Sequence, residues 1–401
     1  MDRSLIASPH ARLGVYKVGE NRFFNKIDAL LYASISNTKP NVIWDFSDDI
    51  FSAFDWKFPV ETTLTDLYKI RAQQLRDKYD YISLMFSGGA DSTNILHAFI
   101  DNDILLDEIV MYRPAKFKVD PTDLSSGNVW SEIALAAVPH LKKYQKLISS
   151  KTTIRFIDLD DMTDQFLNDD TLVSQYRKIY NITAYAIGRT AVDCLPDLIW
   201  DKVLQSGKTL CYVHGIEKPN MWMEADGTWT FAFTDTGGLH PIQQPDGSSS
   251  TSEMFLTQKF HELFYWSPDL PQLVIKQCQI IKKAAAIDPV LYKAYYNPTY
   301  PMNPDFQSLL IPYLYPPHVS SIRDLFLVKK PILGLTSEQH RWFNQTQSSY
   351  NIGVMNDMVT DIIKTIDGRF FAPNRQGMPV VSVPVNQRTL LCRIRSKLYR
   401  L

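Results

Sequence analysis

The tightest constraint on how this chain can fold lies around residue 87. Tyr81 to Phe86, YISLMF, is a short apolar run with the length of a buried strand, and it passes directly into Ser87-Gly88-Gly89-Ala90-Asp91-Ser92. Behind that turn Ile95, Leu96, Phe99 and Ile100 recur at helical spacing, so the unit reads strand, glycine turn, helix. Upstream, Leu64, Leu67, Tyr68, Ala72, Leu75 and Tyr79 mark an amphipathic helix, with Thr63 and Asp66 spaced as a capping box. Downstream, Glu108 to Tyr112, Thr153 to Ile157 and Thr209 to Val213 read as further strands. Helical material lies between them: Trp130, Ile133 and Ala137 before Pro139, then Ile182 to Gln205, broken at Pro196 and closed by Gly207. Strands alternating with helices predict an α/β fold with a doubly wound, mostly parallel sheet.

That unit occupies only part of the chain. Residues 1–62 mix short apolar runs with Trp44, Phe51, Phe54 and Trp56 and read as a small α+β lead-in, and residues 63–235 hold the strand–turn–helix domain. The stretch from Asp235 to Ser252 is rich in Gly, Ser, Pro and Asp and reads as a mobile loop. Residues 253–401 form a C-terminal extension that is α-rich and proline-rich, with helices predicted over Met254 to Tyr265 and Leu270 to Ala286. Beyond them Pro289, Pro298, Pro301, Pro304, Pro312, Pro316 and Pro317 disfavour long helices.

Composition narrows the partners. With 401 residues, 45% of them hydrophobic and 21% charged, the chain has apolar material for one or two cores. A formal net charge of −1 gives no broad cationic surface for nonspecific binding to nucleic acid or anionic membranes, although a local patch remains allowed. No apolar stretch has the length of a membrane span and the N-terminus has no apolar leader core, so the expected compartment is the cytoplasm. The four cysteines, Cys194, Cys211, Cys278 and Cys392, form no CxxC pair and are read as free buried thiols. The sequons at Asn181 and Asn344 then carry no meaning.

The glycine turn carries the chemistry. Ser87, Gly88 and Gly89 let successive backbone N–H groups face one anion, and a helix starting near Ser92 aims its positive end at the same point. Ala90 completes the turn, Ser87 and Ser92 can add hydroxyl donors, and Asp91 can help to hold the magnesium that accompanies nucleotide phosphates.

These residues match SGGxDS, the signature of the PP-loop ATP pyrophosphatases, and the chain resembles that superfamily over about Tyr81 to Pro219. The resemblance implies an adenine-nucleotide α-hydrolase-like fold with ATP and Mg2+ as cofactors. ATP is then cut between the α and β phosphates, pyrophosphate rests on the loop, and AMP activates a substrate oxygen. It also places the adenine against backbone at the end of the second strand, here Met111 and Tyr112. The layout is most similar to the synthetase domain of asparagine synthetase-like enzymes, through Tyr185 to Thr190 and Thr209 to Pro219. That family's second loop reads SGxGxDE where this chain has HGIEKP, so aspartate is not supported as substrate. Asp2 stands where the family's N-terminal glutaminase needs a cysteine, and the paired cysteines of the sulfur-transferring branches are missing, which leaves free ammonia or an amine as nucleophile.

Catalytic candidates follow from position. Lys218 and Arg189 can stabilise charge on the phosphates, with a solvated lysine and a structural ion pair as their plainer readings. His214, at the end of the fourth strand, can act as base or donor, or be structural. Met221, Trp222, Met223 and Trp229 read either as pocket lining or as aromatic core. The GKT at Gly207 to Thr209 is no P-loop, because Lys202 stands where the first glycine is needed. His261-Glu262 is no zincin helix, because Tyr265 stands where the second histidine belongs, and Tyr265-Trp266 reads as core. The basic run Arg388 to Leu401 reads as a solvated face of a packed strand or helix. The function expected is ATP-dependent C–N ligation through an adenylate of an unidentified small molecule. The alternatives are nucleobase or RNA modification by the same step and a nucleotide-binding interaction module without turnover.

Overall fold

The structure is a computed structural model that describes residues 13–23, 29, 32, 33, 36, 41–113, 133–158, 201–215, 218, 219, 221–235, 259–296, 309–320 and 395–401. The chain opens with β1 (Val15–Val18), β2 (Asn21–Phe23) and β3 (Val42–Asp45), an antiparallel sheet in the order β2-β1-β3, followed by the short α1 (Asp48–Ser52). Helix α2 (Leu64–Lys78) starts at the predicted cap: the Thr63 Oγ1 accepts from the N–H of Asp66 at 3.1 Å.

A β/α alternation then begins with β4 (Tyr81–Met85), α3 (Ala90–Ile100) and β5 (Glu108–Arg113). It continues through a π turn at Ile133–Ala137, α4 (Val138–Lys143), β6 (Thr153–Asp158), α5 (Asp201–Gln205) and β7 (Leu210–His214). Beyond β7 come the hairpin β8 (Met221–Met223) and β9 (Trp229–Phe231), then β10 (Lys259–Leu263), α6 (Pro271–Ile287) and α7 (Pro289–Tyr296). The last described elements are α8 (Ile311–Leu314), α9 (Pro317–Ser320) and β11 (Tyr399–Arg400).

The central sheet has five strands in the order β10-β7-β4-β5-β6, and every neighbouring pair in it is parallel. Its inner strands are buried on both faces, as apolar runs such as Leu210–His214 require. The strand that is first in sequence, β4, lies in the middle, with β5 and β6 on one side and β7 and β10 on the other. The strand order therefore reverses between β4 and β7.

One sequence expectation fails here. The helix predicted over Met254 to Tyr265 is instead β10, paired in parallel register with β7 (His261↔Tyr212), while 254–258 lie outside the described residues. Phe260, Leu263 and Phe264 fit a helical period as well as a strand, and the open edge of β7 decides between them. The helical material predicted before Pro139 is present as the π turn at Ile133–Ala137, which runs without a break into α4, so Pro139 sits near the start of α4 rather than ending the helix.

The remaining readings are mixed. Helices α7, α8 and α9 are short and each takes a proline into its first residues, in keeping with the proline-rich sequence. Of the segment Ile182 to Gln205 only α5 is described, and the loop from 236 to 252 is outside the described residues. Cys211 and Cys278 are free and buried; Cys194 and Cys392 are outside. Among the described residues no helix is long and apolar enough to cross a membrane.

The core extends from the central sheet to residues near both ends of the chain. Phe46, Phe51, Trp56, Phe231, Phe233, Trp266 and Tyr399 pack together, with Trp56 stacked on Tyr399 at 4.5 Å between centroids. Trp222 and Trp229 belong to this hairpin and are buried, which favours their reading as aromatic core. The Arg395 guanidinium lies 4.6 Å from the Trp222 ring centroid, so this part of the basic C-terminal run is packed rather than solvated.

Candidate functional site

The Ser87–Ser92 turn leaves β4 at the point where the strand order reverses. The Phe86 N–H donates to the Val110 carbonyl at 2.8 Å and ends the pairing with β5; the chain then turns away from the sheet. Gly88 has φ +81°, and a Cβ there would lie 2.5 Å from the Ala137 nitrogen, so only glycine fits. The turn is tied internally: the Gly89 N–H donates to Ser87 Oγ at 3.2 Å, Ser92 Oγ to the Gly89 carbonyl at 3.1 Å, and Thr93 Oγ1 to the Gly88 carbonyl at 3.3 Å. Gly89 caps α3 and no side chain caps the helix, so Ala90, Asp91 and Ser92 form its first turn without a side-chain cap bond.

The loop after β7 closes on the same turn. A Cβ at Gly215 would lie 3.1 Å from the Ser92 nitrogen and 3.3 Å from the Asp91 carbonyl carbon, which measures how nearly the two loops touch. Lys218, only 7% exposed, reaches back with its Nζ 2.9 Å from Asp91 Oδ1 and 3.0 Å from Oδ2. Burial and pairing remove the plain reading of Lys218 as a solvated surface residue.

Two tyrosines from distant parts of the chain complete this shell. The Tyr315 hydroxyl, just before α9, donates to Asp91 Oδ1 and its ring lies 5.7 Å from Lys218 Nζ. The Tyr265 hydroxyl donates to the Asp91 backbone carbonyl at 2.8 Å and accepts from Asn94 Nδ2 at 3.0 Å. Both phenols are held well above their usual range, first by burial and next by the negative charge of Asp91. Tyr265 is thus core, as its sequence setting indicates, and also fixes the loop. Nothing in sequence marks Tyr315, because a tyrosine in a proline-rich stretch more than two hundred residues from Asp91 carries no local pattern.

The other candidates divide. His214 is the last residue of β7 and is buried; its Nε2 lies 2.9 Å from His261 Nδ1, with the rings stacked at 14°. Met111 and Tyr112 lie at the end of β5, paired with Phe156 and Ile157 of β6. Because Val110 bonds toward β4, strand alternation turns the Tyr112 backbone groups to that same side, past the end of β4, and those of Met111 toward β6. Tyr112 rather than Met111 therefore presents backbone to the crevice. Arg189 and the Tyr185 to Thr190 segment lie outside the described residues.

The architecture defines a class, an α/β protein with a parallel five-stranded sheet and a glycine turn, leading into a helix, at its strand-order reversal. Comparison of the chain with protein-family models, curated proteins and solved structures finds no match.

Proposed function

We propose that this chain is an ATP-dependent adenylating enzyme of the PP-loop type, on a doubly wound, adenine-nucleotide α-hydrolase-like fold, which activates an acceptor oxygen for C–N bond formation. The observation that carries the reading is the position of Ser87–Ser92: this turn follows the middle strand at the reversal of strand order, where open α/β sheets bind ligands, and Lys218 of the facing loop is paired to Asp91.

In this reading the acceptor oxygen attacks the α-phosphorus, the bond to the bridging oxygen breaks, and pyrophosphate leaves with the electron pair. The amides at the start of α3 and the hydroxyls of Ser87 and Ser92 hold the pyrophosphate. Lys218 brings a buried positive charge to the leaving oxygens, and the backbone of Tyr112 reads the adenine edge. Asp91 offers a partly exposed carboxylate, the hard oxygen donor that magnesium prefers, and would hold that ion once Lys218 and Tyr315, which occupy its oxygens, give them up. Magnesium supplies neutralisation of the phosphate charge.

The test is incubation of the chain with α-labelled ATP, Mg2+ and a metabolite pool, with products separated. The expected result is AMP and pyrophosphate, lost in Asp91→Ala and lowered about 10²–10³-fold in Lys218→Ala, with unchanged circular dichroism. Release of ADP, or no cleavage in any pool, overturns the adenylating reading and leaves a binding module. AMP formed only with added RNA assigns the acceptor to a nucleobase.

A further inference from the structure

Away from the phosphate turn, three imidazoles and a carboxylate converge at the other end of α3. His97 lies in the last turn of α3, Asp101 is the C-cap residue of that helix, His140 lies on α4, and His318 is on α9. His97 Nδ1 is 3.0 Å from Asp101 Oδ1, and His318 Nε2 is 3.2 Å from Asp101 Oδ2. The His97 and His318 rings meet edge to face at 4.2 Å between centroids.

We propose that His97, Asp101 and His318 bind one first-row divalent transition metal ion of the zinc class, which ties α9 to α3. One donor atom from each residue lies within 4.8 Å of the others. Zinc bonds of about 2.0–2.2 Å put tetrahedral ligand atoms roughly 3.3 Å apart, a spacing that small side-chain rotations reach. Two imidazoles with one carboxylate suit zinc, cobalt or nickel rather than magnesium or calcium, which take oxygen-only sets.

The surroundings fit ligation as well as the ligands do. With Nδ1 on the ion, His97 carries its proton on Nε2, and that atom is 2.8 Å from His140 Nε2. His140 thus accepts the outer hydrogen bond that a metal-bound imidazole needs in order to fix its tautomer and ring plane. The Tyr144 ring packs on His97 and on His140, at 4.6 Å from each, and holds both. His97 is 2% exposed, while the side chains of Asp101 and His318 are 35% and 36% exposed, which gives an ion a way in and leaves a position for water. The consequence reaches the phosphate turn through a short path: Tyr315, bonded to Asp91, stands just ahead of α9, so an ion on His318 anchors that segment over the turn. The binding itself does not depend on the adenylating reading.

The experiment is calorimetric titration of the chelator-treated full chain with Zn2+, with visible absorption of the Co2+ form as a second reading. The expected outcome is one ion per chain, at least ten-fold weaker in His318→Gln and in Asp101→Asn, about ten-fold weaker in His140→Phe, and unchanged in His261→Gln. Zn2+ also raises the Tm of the native chain but not that of His318→Gln. His318→Gln alters a partly exposed residue and keeps the test open if Asp101→Asn, at a helix end, fails to fold. Absence of binding by the native chain, unchanged affinity in His318→Gln, or an affinity that falls with His261→Gln instead, overturns the proposal.

Discussion

Gly88 concentrates two constraints in one residue. Its positive φ costs a side-chain residue roughly 1–2 kcal/mol, and the approach of Ala137 to 2.5 Å from an added Cβ forces the turn and the start of α4 apart. Gly88→Ala is therefore expected to lower the Tm and to weaken the proposed ATP binding together, measured by thermal unfolding and titration calorimetry. A variant that keeps full affinity would show that the turn's backbone is not what holds the phosphates. The buried phenols at the same site make a pH prediction. Folding raises the pKa of Tyr265 and Tyr315, so the unfolded chain releases these protons near pH 10 while the folded chain retains them. Stability is unaffected below that pH and falls as pH rises past about 10. Denaturant titrations from pH 8 to 11 follow the loss, and its slope should flatten in Tyr315→Phe.

At the scale of elements, the central sheet depends on a contact between α2 and β10. Arg71, fully buried, donates to Glu262 at 2.8 Å; Lys78 reaches the other carboxylate oxygen at 3.0 Å, and the Tyr79 hydroxyl also donates there. A carboxylate on a buried edge strand is tolerable only with such partners. Glu262→Ala leaves the buried Arg71 charge with only the more distant Asp269 carboxylate, at 3.9 Å, and the Leu263 carbonyl, and is expected to cost ~3–5 kcal/mol in urea unfolding. The Arg71→Met/Glu262→Leu pair should recover most of it, and a single variant within about 0.5 kcal/mol of native would refute a structural role. The contact also gives the His261-Glu262 pair, dismissed in sequence as a zincin helix, a structural role: it lies on a strand anchored by its glutamate.

Across the whole molecule, the aromatic core joins β11 to the N-terminal region and to the β8–β9 hairpin. Tyr399 stacks on Trp56, and its hydroxyl donates to Asp48 at 2.8 Å. Tyr399→Ala removes a large buried ring and its hydrogen bond, with an expected loss of about 3–5 kcal/mol in denaturant unfolding. A change confined to the C-terminal strand, seen as local hydrogen exchange without loss of global stability, would separate this core from the central sheet.

How much of this was legible before the structure follows from the range over which each signal acts. Local order wrote itself into local pattern: the Thr63 cap of α2, the strands β4, β5, β6 and β7, and the glycine turn all depend on neighbours within a few residues, so period and turn chemistry alone determined them. The parallel sheet followed because buried strands separated by helices have few other ways to pair. Only the tertiary structure decided that 259–263 becomes a strand, because that choice rests on the free edge of β7, whose residues pair in register with positions 49 residues later (Leu210↔Lys259), a pairing invisible to periodicity. It alone set Lys218 and Tyr315 on Asp91, and His140 and His318 beside His97. Side chains that meet across long sequence separations leave no local trace, since packing acts on distance in space while sequence pattern records distance along the chain.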